Sequence, residues 1–297
     1  MPVIEVDDLG DPRLTDYADV RERQWAAEFQ AAGDDARGGG GVGGGDVGAL
    51  FGKFMAEGEL VFERLVRSPF RTLSVLCTPA RLKTIGRALE RLEAATPVYV
   101  IDAKRLESLI GFPLHRGLMA VAARNRPVGL EEVLSRRPRL VVVGEDLANH
   151  DNIGALFRDA AAFGADAVVL NRGCADPLYR KSVRVSMGHA LRVPFALVGP
   201  WPGVLGELRR SGLRVVAMTP HAPAVPIREL PGRHRAGDRY ALLMGAEGPG
   251  LTPAALAEAD VPVRIPMAEG VDSLNVGVAA AVALEHLSHL LRAEANG

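Results

Sequence analysis

Residues 139–171 read RLVVVGEDLANHDNIGALFRDAAAFGADAVVLN, and they hold in miniature the pattern of the C-terminal half. RLVVVGE (139–145) and DAVVLN (166–171) are apolar without alternation, as strands buried on both faces are. Between them Ile153, Leu156, Phe157 and Ala160 recur at helical spacing. Similar apolar runs follow at 193–198 (VPFALV), 213–218 (LRVVAM), 240–245 (YALLMG) and 261–266 (VPVRIP). Helical segments fall at 152–163, 180–190, 202–211 and 252–258, with a long last helix from about 274 to 293. Strands alternating with helices predict an α/β domain over 139–297 with a mainly parallel sheet.

Upstream of Arg139 the pattern is different. The run GGGGVGGG at 38–45 has no side chains to bury and reads as a flexible connector, and the acidic stretch before it reads as a tail, together residues 1–49. FMAEGELVFERLV (54–66) has helical periodicity, TLSVLCT (72–78) is a strand, ARLKTIGRALERLEAA (80–95) a helix, VYVIDA (98–103) a strand and LHRGLMAVAAR (114–124) a closing strand. Residues 50–126 are therefore expected to form a small α/β domain. The polar, Pro-bounded stretch 127–138 reads as a linker.

With 297 residues, 48% of them hydrophobic, the chain is long enough for two domains. Its start is acidic and lacks an apolar run of signal-peptide length, and apolar runs elsewhere stop short of membrane-spanning length. The expectation is a cytoplasmic protein with no membrane partner. Cys77 and Cys174 stand far apart in unrelated contexts, which excludes a disulfide framework and gives no metal site. The net charge of −1 hides a strong asymmetry. Residues 1–50 hold 4 basic and 11 acidic residues, and residues 51–126 hold 13 basic and 7 acidic. Lys and Arg supply most of the sequence-independent affinity for nucleic acid, so the basic middle segment suits RNA; the alternative is an ordinary solvated surface.

Open α/β sheets bind ligands beyond the carboxyl ends of their strands, and three loops there are unusual. In the first, Gly154, Ala155, Arg158 and Ala162 form a small-residue helix face with one projecting cation; a capped helix with a solvated arginine is the alternative. The second, GAEGPGLTPAALAEA from Gly245, has glycines at 245, 248 and 250 and Glu247 as its charged member before the helix; its spacing fits neither a dinucleotide fingerprint nor a P-loop, and a tight turn is the alternative. The third, VRIPMAEGVDSLNVGVAAAVALEHL (263–287), puts Ser273 and Asn275 at a helix start rich in unpaired N–H groups; a simple N-cap at Ser273 or Asp272 is the alternative.

Taken together, the N-x5-R of the first loop, the G-x-E-G-x-G-L of the second and the I-P-M…D-S-L-N-V-G-V-A of the third resemble the three ordered motifs of the SpoU/TrmH family, within the SPOUT superfamily. KSVRVSMGHALRVPF (181–195) is similar to that family's middle segment, and 50–126 to its ribosomal-protein-like substrate-binding domain. The resemblance implies a trefoil-knotted C-terminal domain that binds S-adenosylmethionine, dimerises and methylates a ribose 2′-hydroxyl, with 23S rRNA ahead of tRNA as substrate and no metal. The alternative function is a non-catalytic RNA-binding or antitermination factor on the same fold. By the same resemblance, Gly245, Ile265 and Leu274 approach the cofactor through backbone, with Thr219, Ala246 and Met267 beside them. Arg158, Asn152, Glu247, Ser273 and Asn275 become the catalytic or substrate-positioning residues.

Overall fold

The computed structural model describes residues 1–18, 52–111, 117–125, 128–221 and 223–295; the glycine run at 38–45 lies outside the described residues. By its contacts the chain divides into two units, Met1–Arg126 with Leu178–Arg192, and Pro127–Pro177 with Val193–Gly297.

Among the described residues the first unit holds a five-stranded sheet in the order β1-β4-β3-β5-β2. Its elements are β1 (Val3–Glu5), β2 (Lys53–Glu57), α1 (Glu59–Leu65), β3 (Thr72–Cys77), α2 (Pro79–Thr84), α3 (Gly86–Leu89), β4 (Val98–Val100), α4 (Ala103–Ile110) and β5 (Leu118–Ala123). Two expectations change here. Residues 1–18 are no tail: β1 pairs parallel with β4, Val6, Leu14 and Tyr17 enter the core, and the Tyr17 hydroxyl meets Ser74 Oγ at 2.7 Å. Charge had masked a few well-spaced apolar residues. The helix expected over 54–66 begins only at Glu59, because 53–57 pairs antiparallel with β5 and Gly58, at φ 93°, breaks the chain direction between them. The segment Leu178–Arg192 also belongs to this unit, where Arg180 donates to Glu57 at 2.8 Å.

The second unit consists of α5 (Leu130–Ser135), β6 (Leu140–Gly144), α6 (His150–Phe163), β7 (Ala167–Asn171), β8 (Phe195–Val198), α7 (Gly203–Arg210), β9 (Leu213–Met218), β10 (Val225–Pro226), β11 (Arg239–Met244), α8 (Pro253–Ala257), β12 (Val261–Arg264) and α9 (Val276–Ala295). Its seven described strands form a parallel sheet in the order β10-β12-β9-β11-β6-β7-β8. Val141, Val143, Val169, Val215 and Leu243 are buried in one core beneath α7, as continuous apolar strands require. Val133 of α5 joins that core, so the stretch read as a linker contributes a packed helix. Among the described residues no helix is long and apolar enough to cross a membrane.

Candidate active site

β9, β11 and β12 are neighbours and run parallel, so the loops that follow Met218, Met244 and Arg264 emerge at one edge of the sheet. With the segment leading into α9 they enclose a cleft of about 370 Å3. That volume lies within the range of small-molecule sites, roughly 300–1,000 Å3. Thr219, Gly245, Ala246, Ile265, Met267 and Leu274 all line it, as do Glu247, Ser273 and Asn275; Asn152 and Arg158 do not.

The glycine-rich loop folds back on itself. Gly250 N–H donates to Ala246 carbonyl oxygen at 3.0 Å, and a Cβ on Gly245 would stand 2.5 Å from the backbone of Gly250 and Leu251. Glycine at 245 is thus required by the loop's own backbone, before any ligand is considered. Gly248 and Gly250 take φ of 86° and 70°, which favours glycine at both.

Asn275 ties the cleft to α6. Its Oδ1 accepts from Gly277 N–H at 3.0 Å, so it caps α9, while its Nδ2 donates to Asn152 Oδ1 and Glu247 Oε1, each at 3.0 Å. Asn152 is buried at 4% exposure on the first turn of α6, whose cap is Asn149, accepting from Asp151 N–H at 2.8 Å. Residues from all three motif segments therefore meet in one hydrogen-bonded group. Two helices pack closely behind it: a Cβ on Gly277 would stand 2.8 Å from that of Ala155. The small-residue faces of α6 and α9 serve this contact within the chain.

Arg158 lies six residues beyond Asn152, roughly 9 Å along α6. It is exposed, and its guanidinium makes no hydrogen bond or ion pair among the described residues. Its neighbour Asp159 is partly buried toward Gly277, and burial pushes its carboxyl up to about 6, with the Arg158 charge acting in the opposite direction.

Residues 139–285 match the SpoU rRNA Methylase family. An uncharacterised tRNA/rRNA methyltransferase of Mycobacterium tuberculosis is 43% identical over 285 residues, covering 95% of this chain and 91% of that one. The chain belongs to the SpoU rRNA methylase family. A 23S rRNA (guanosine-2′-O-)-methyltransferase of Bordetella pertussis is 34% identical over 207 residues, covering 69% of this chain and 82% of the relative. The fold is that of the S-adenosylmethionine-bound rRNA methyltransferase from Sinorhizobium meliloti, with a TM-score of 0.73 at 22% identity over 97% of this chain and 98% of that one.

This SpoU-family chain is a methyltransferase, and its cleft also involves residues that the motifs did not mark. Met218 and Met244, the last residues of β9 and β11, and His221 in the loop after β9 line it. A strand's final residue is exposed to whatever binds at the sheet edge, so position alone was the available signal for the two methionines. For His221 the sequence holds no comparable signal.

Proposed function

We infer that this enzyme transfers a methyl group from S-adenosylmethionine to a ribose 2′-hydroxyl of RNA, and that its substrate is 23S rRNA. The observation that carries the reading is the meeting of Asn152, Asn275 and Glu247 at the edge of a cleft walled by the family's loops. The Bordetella pertussis relative supports the choice of substrate.

The cleft suits the cofactor's chemistry. Met218, Met244 and Ile265 offer apolar surface for an adenine ring, the loop backbones offer polar groups for its edges, and Glu247 supplies a carboxylate for a cationic molecule. When bound, the cofactor supplies an electrophilic methyl on a sulfonium. An alcohol is a weak nucleophile while it keeps its proton, so the protein must orient the hydroxyl and stabilise charge as the proton leaves. Ser273 and Asn275 hold the hydroxyl and its ribose, and Asn152 and Glu247 hold Asn275. A guanidinium offers hydrogen-bond donors and no acceptor, so Arg158 is assigned no role as a base. Its exposure suits a polyanion: it takes the adjacent phosphate and stabilises the developing alkoxide, the proton passing to that phosphate or to water.

The reading brings with it a trefoil-knotted C-terminal path, a cytoplasmic place of action and a homodimer formed through the second unit. Val271, Leu274 and Val278, exposed at 49%, 38% and 52%, support the dimer as apolar surface beside the site. A monomer in sedimentation at micromolar concentration removes the dimer from the proposal. The first unit is assigned to holding the RNA. The test of function is transfer of labelled methyl from S-adenosylmethionine to total RNA from a strain lacking the enzyme, followed by mapping. Label on a 23S rRNA ribose is expected, label on tRNA moves the substrate, and a chain that neither binds the cofactor nor labels RNA is a non-catalytic RNA-binding factor.

A further inference from the structure

Glu145, the residue after β6, is 1% exposed and lies outside the cleft lining, yet its hydrogen bonds reach both ends of the loop that forms one cleft wall. Its backbone N–H donates to Met244 carbonyl oxygen at 2.9 Å, immediately before Gly245. Its carboxylate accepts from Thr252 at the other end, Oε2 from the backbone N–H at 2.9 Å and Oε1 from the hydroxyl at 2.7 Å. Oε1 also accepts from the indole N–H of Trp201, just ahead of α7. No cation pairs with this carboxylate among the described residues; its charge is balanced by neutral donors, which bond strongly to an anion in a site of low dielectric.

Both donors of Thr252, its backbone N–H and its hydroxyl, are given to Glu145. Its hydroxyl donates to Glu145 and accepts from Ala255 N–H at 3.2 Å, capping α8. Leu251, the loop's last residue, is anchored in the core. Between the two fixed ends the loop doubles back through the Gly250–Ala246 bond, with no room at Gly245 for a side chain. Positions of Ala246, Glu247 and Gly248 in the cleft wall therefore depend on the separation of Met244 and Thr252, which Glu145 sets from the neighbouring strand.

We propose that Glu145 is a positioning residue for cofactor binding, clamping residues 245–251 into the shape that receives S-adenosylmethionine. The proposal rests on the reading of the cleft as the cofactor site. Replacing the carboxylate by an amide tests it, because Glu145→Gln keeps the size but, at a buried position, presents an N–H2 where the carboxylate accepted from donors.

The measurements are calorimetric titration of S-adenosylmethionine into the full-length wild type and Glu145→Gln, and steady-state methylation of the accepting RNA. The expected result is a Kd and a KM for the cofactor raised by about tenfold or more, as for loss of a hydrogen bond to a charged group. kcat at saturating cofactor should stay within about threefold, since the bound cofactor holds the loop, Glu247 included, in the shape that the clamp otherwise supplies. A wild type that gives no binding overturns the cofactor reading and this inference with it. A wild type that binds, beside a variant whose Kd is unchanged or whose loss is in kcat alone, overturns the clamp and leaves the cofactor reading standing. If Glu145→Gln lacks a cooperative melt, Thr252→Val decides: it removes the hydroxyl arm together with the cap of α8 and keeps the backbone arm, and a rise of about threefold in Kd is expected in the folded variant. An unchanged Kd in that folded variant overturns the proposal.

Discussion

The side-chain amide of Asn275 has both a structural and a site partner, and two substitutions separate them. Asn275→Ala removes the cap of α9 and the bonds to Asn152 and Glu247, and should cost about 1 kcal/mol of stability as well as most of the activity. Asn275→Asp keeps an acceptor for Gly277 N–H but sets an oxygen against two other oxygens. It should lower single-turnover methylation by about a hundredfold while losing less stability than a missing cap would cause. Equal loss of stability in the two variants contradicts the division. Arg158→Ala should lower the rate on a similar scale and leave cofactor affinity unchanged, and Arg158→Lys should rescue it poorly, because an ammonium lacks the planar fork. Lost cofactor binding in Arg158→Ala moves that residue to the cofactor site. Asn152 and Asn275 stand 123 residues apart in sequence, and only their family motifs announced that they belong together. Glu145 carried no such mark, because a strand-terminal acid gives no sign of which distant donors it will meet.

At the scale of elements, the contact between α6 and α9 places a titrating group beside the site. Asp159 holds its proton up to about pH 6, chiefly because it is partly buried, against an ordinary carboxylate value near 4. The folded chain binds that proton more tightly than the unfolded chain, so ionisation works against folding. This group's contribution to stability is highest below about pH 4, falls as the pH rises to about 6 and stays low above it. Asp159→Asn should accordingly raise the urea midpoint at pH 8 and change it little at pH 3; an increase of equal size at both values rules out the titration. Six of the parallel strands from Leu140 onward were legible because a two-sided burial leaves unbroken apolar runs; the two-residue β10 is too short to leave one. β1 and β2 were not, since each is short and takes its partner from a strand many residues away: Val3 pairs with Val98, and Phe54 with Ala122. Local periodicity holds no record of such pairing, which overrides it.

Over the whole molecule, the charge counted along the sequence overstates what the first unit offers to RNA. Lys53 pairs with Asp16 at 2.6 Å and Arg105 with Asp7 at 2.5 Å, so the acidic start of the chain neutralises part of the basic segment that follows it, and Arg81 pairs with Glu59 within that segment at 3.2 Å. Lys83, Arg87 and Arg91 differ. They recur at every fourth position through α2, α3 and the turn beyond, are exposed, and make no side-chain hydrogen bond or ion pair among the described residues. Such cations release counterions when they meet phosphates, and each contact adds to the salt dependence of binding. Replacing all three by Gln in the full-length enzyme should weaken RNA binding at every sequence tested. It should reduce the slope of log K against log salt by up to about 2, from roughly 0.7 per single-stranded phosphate contact. Cofactor affinity should not change, and kcat at saturating RNA should persist, if the second unit carries the chemistry as proposed. Titrations of the accepting RNA across a series of salt concentrations give the slope directly. An unchanged affinity and slope would remove these three residues from the RNA surface, whereas a fall in kcat with the slope intact would mean that the first unit acts on the reaction and not on capture of the substrate.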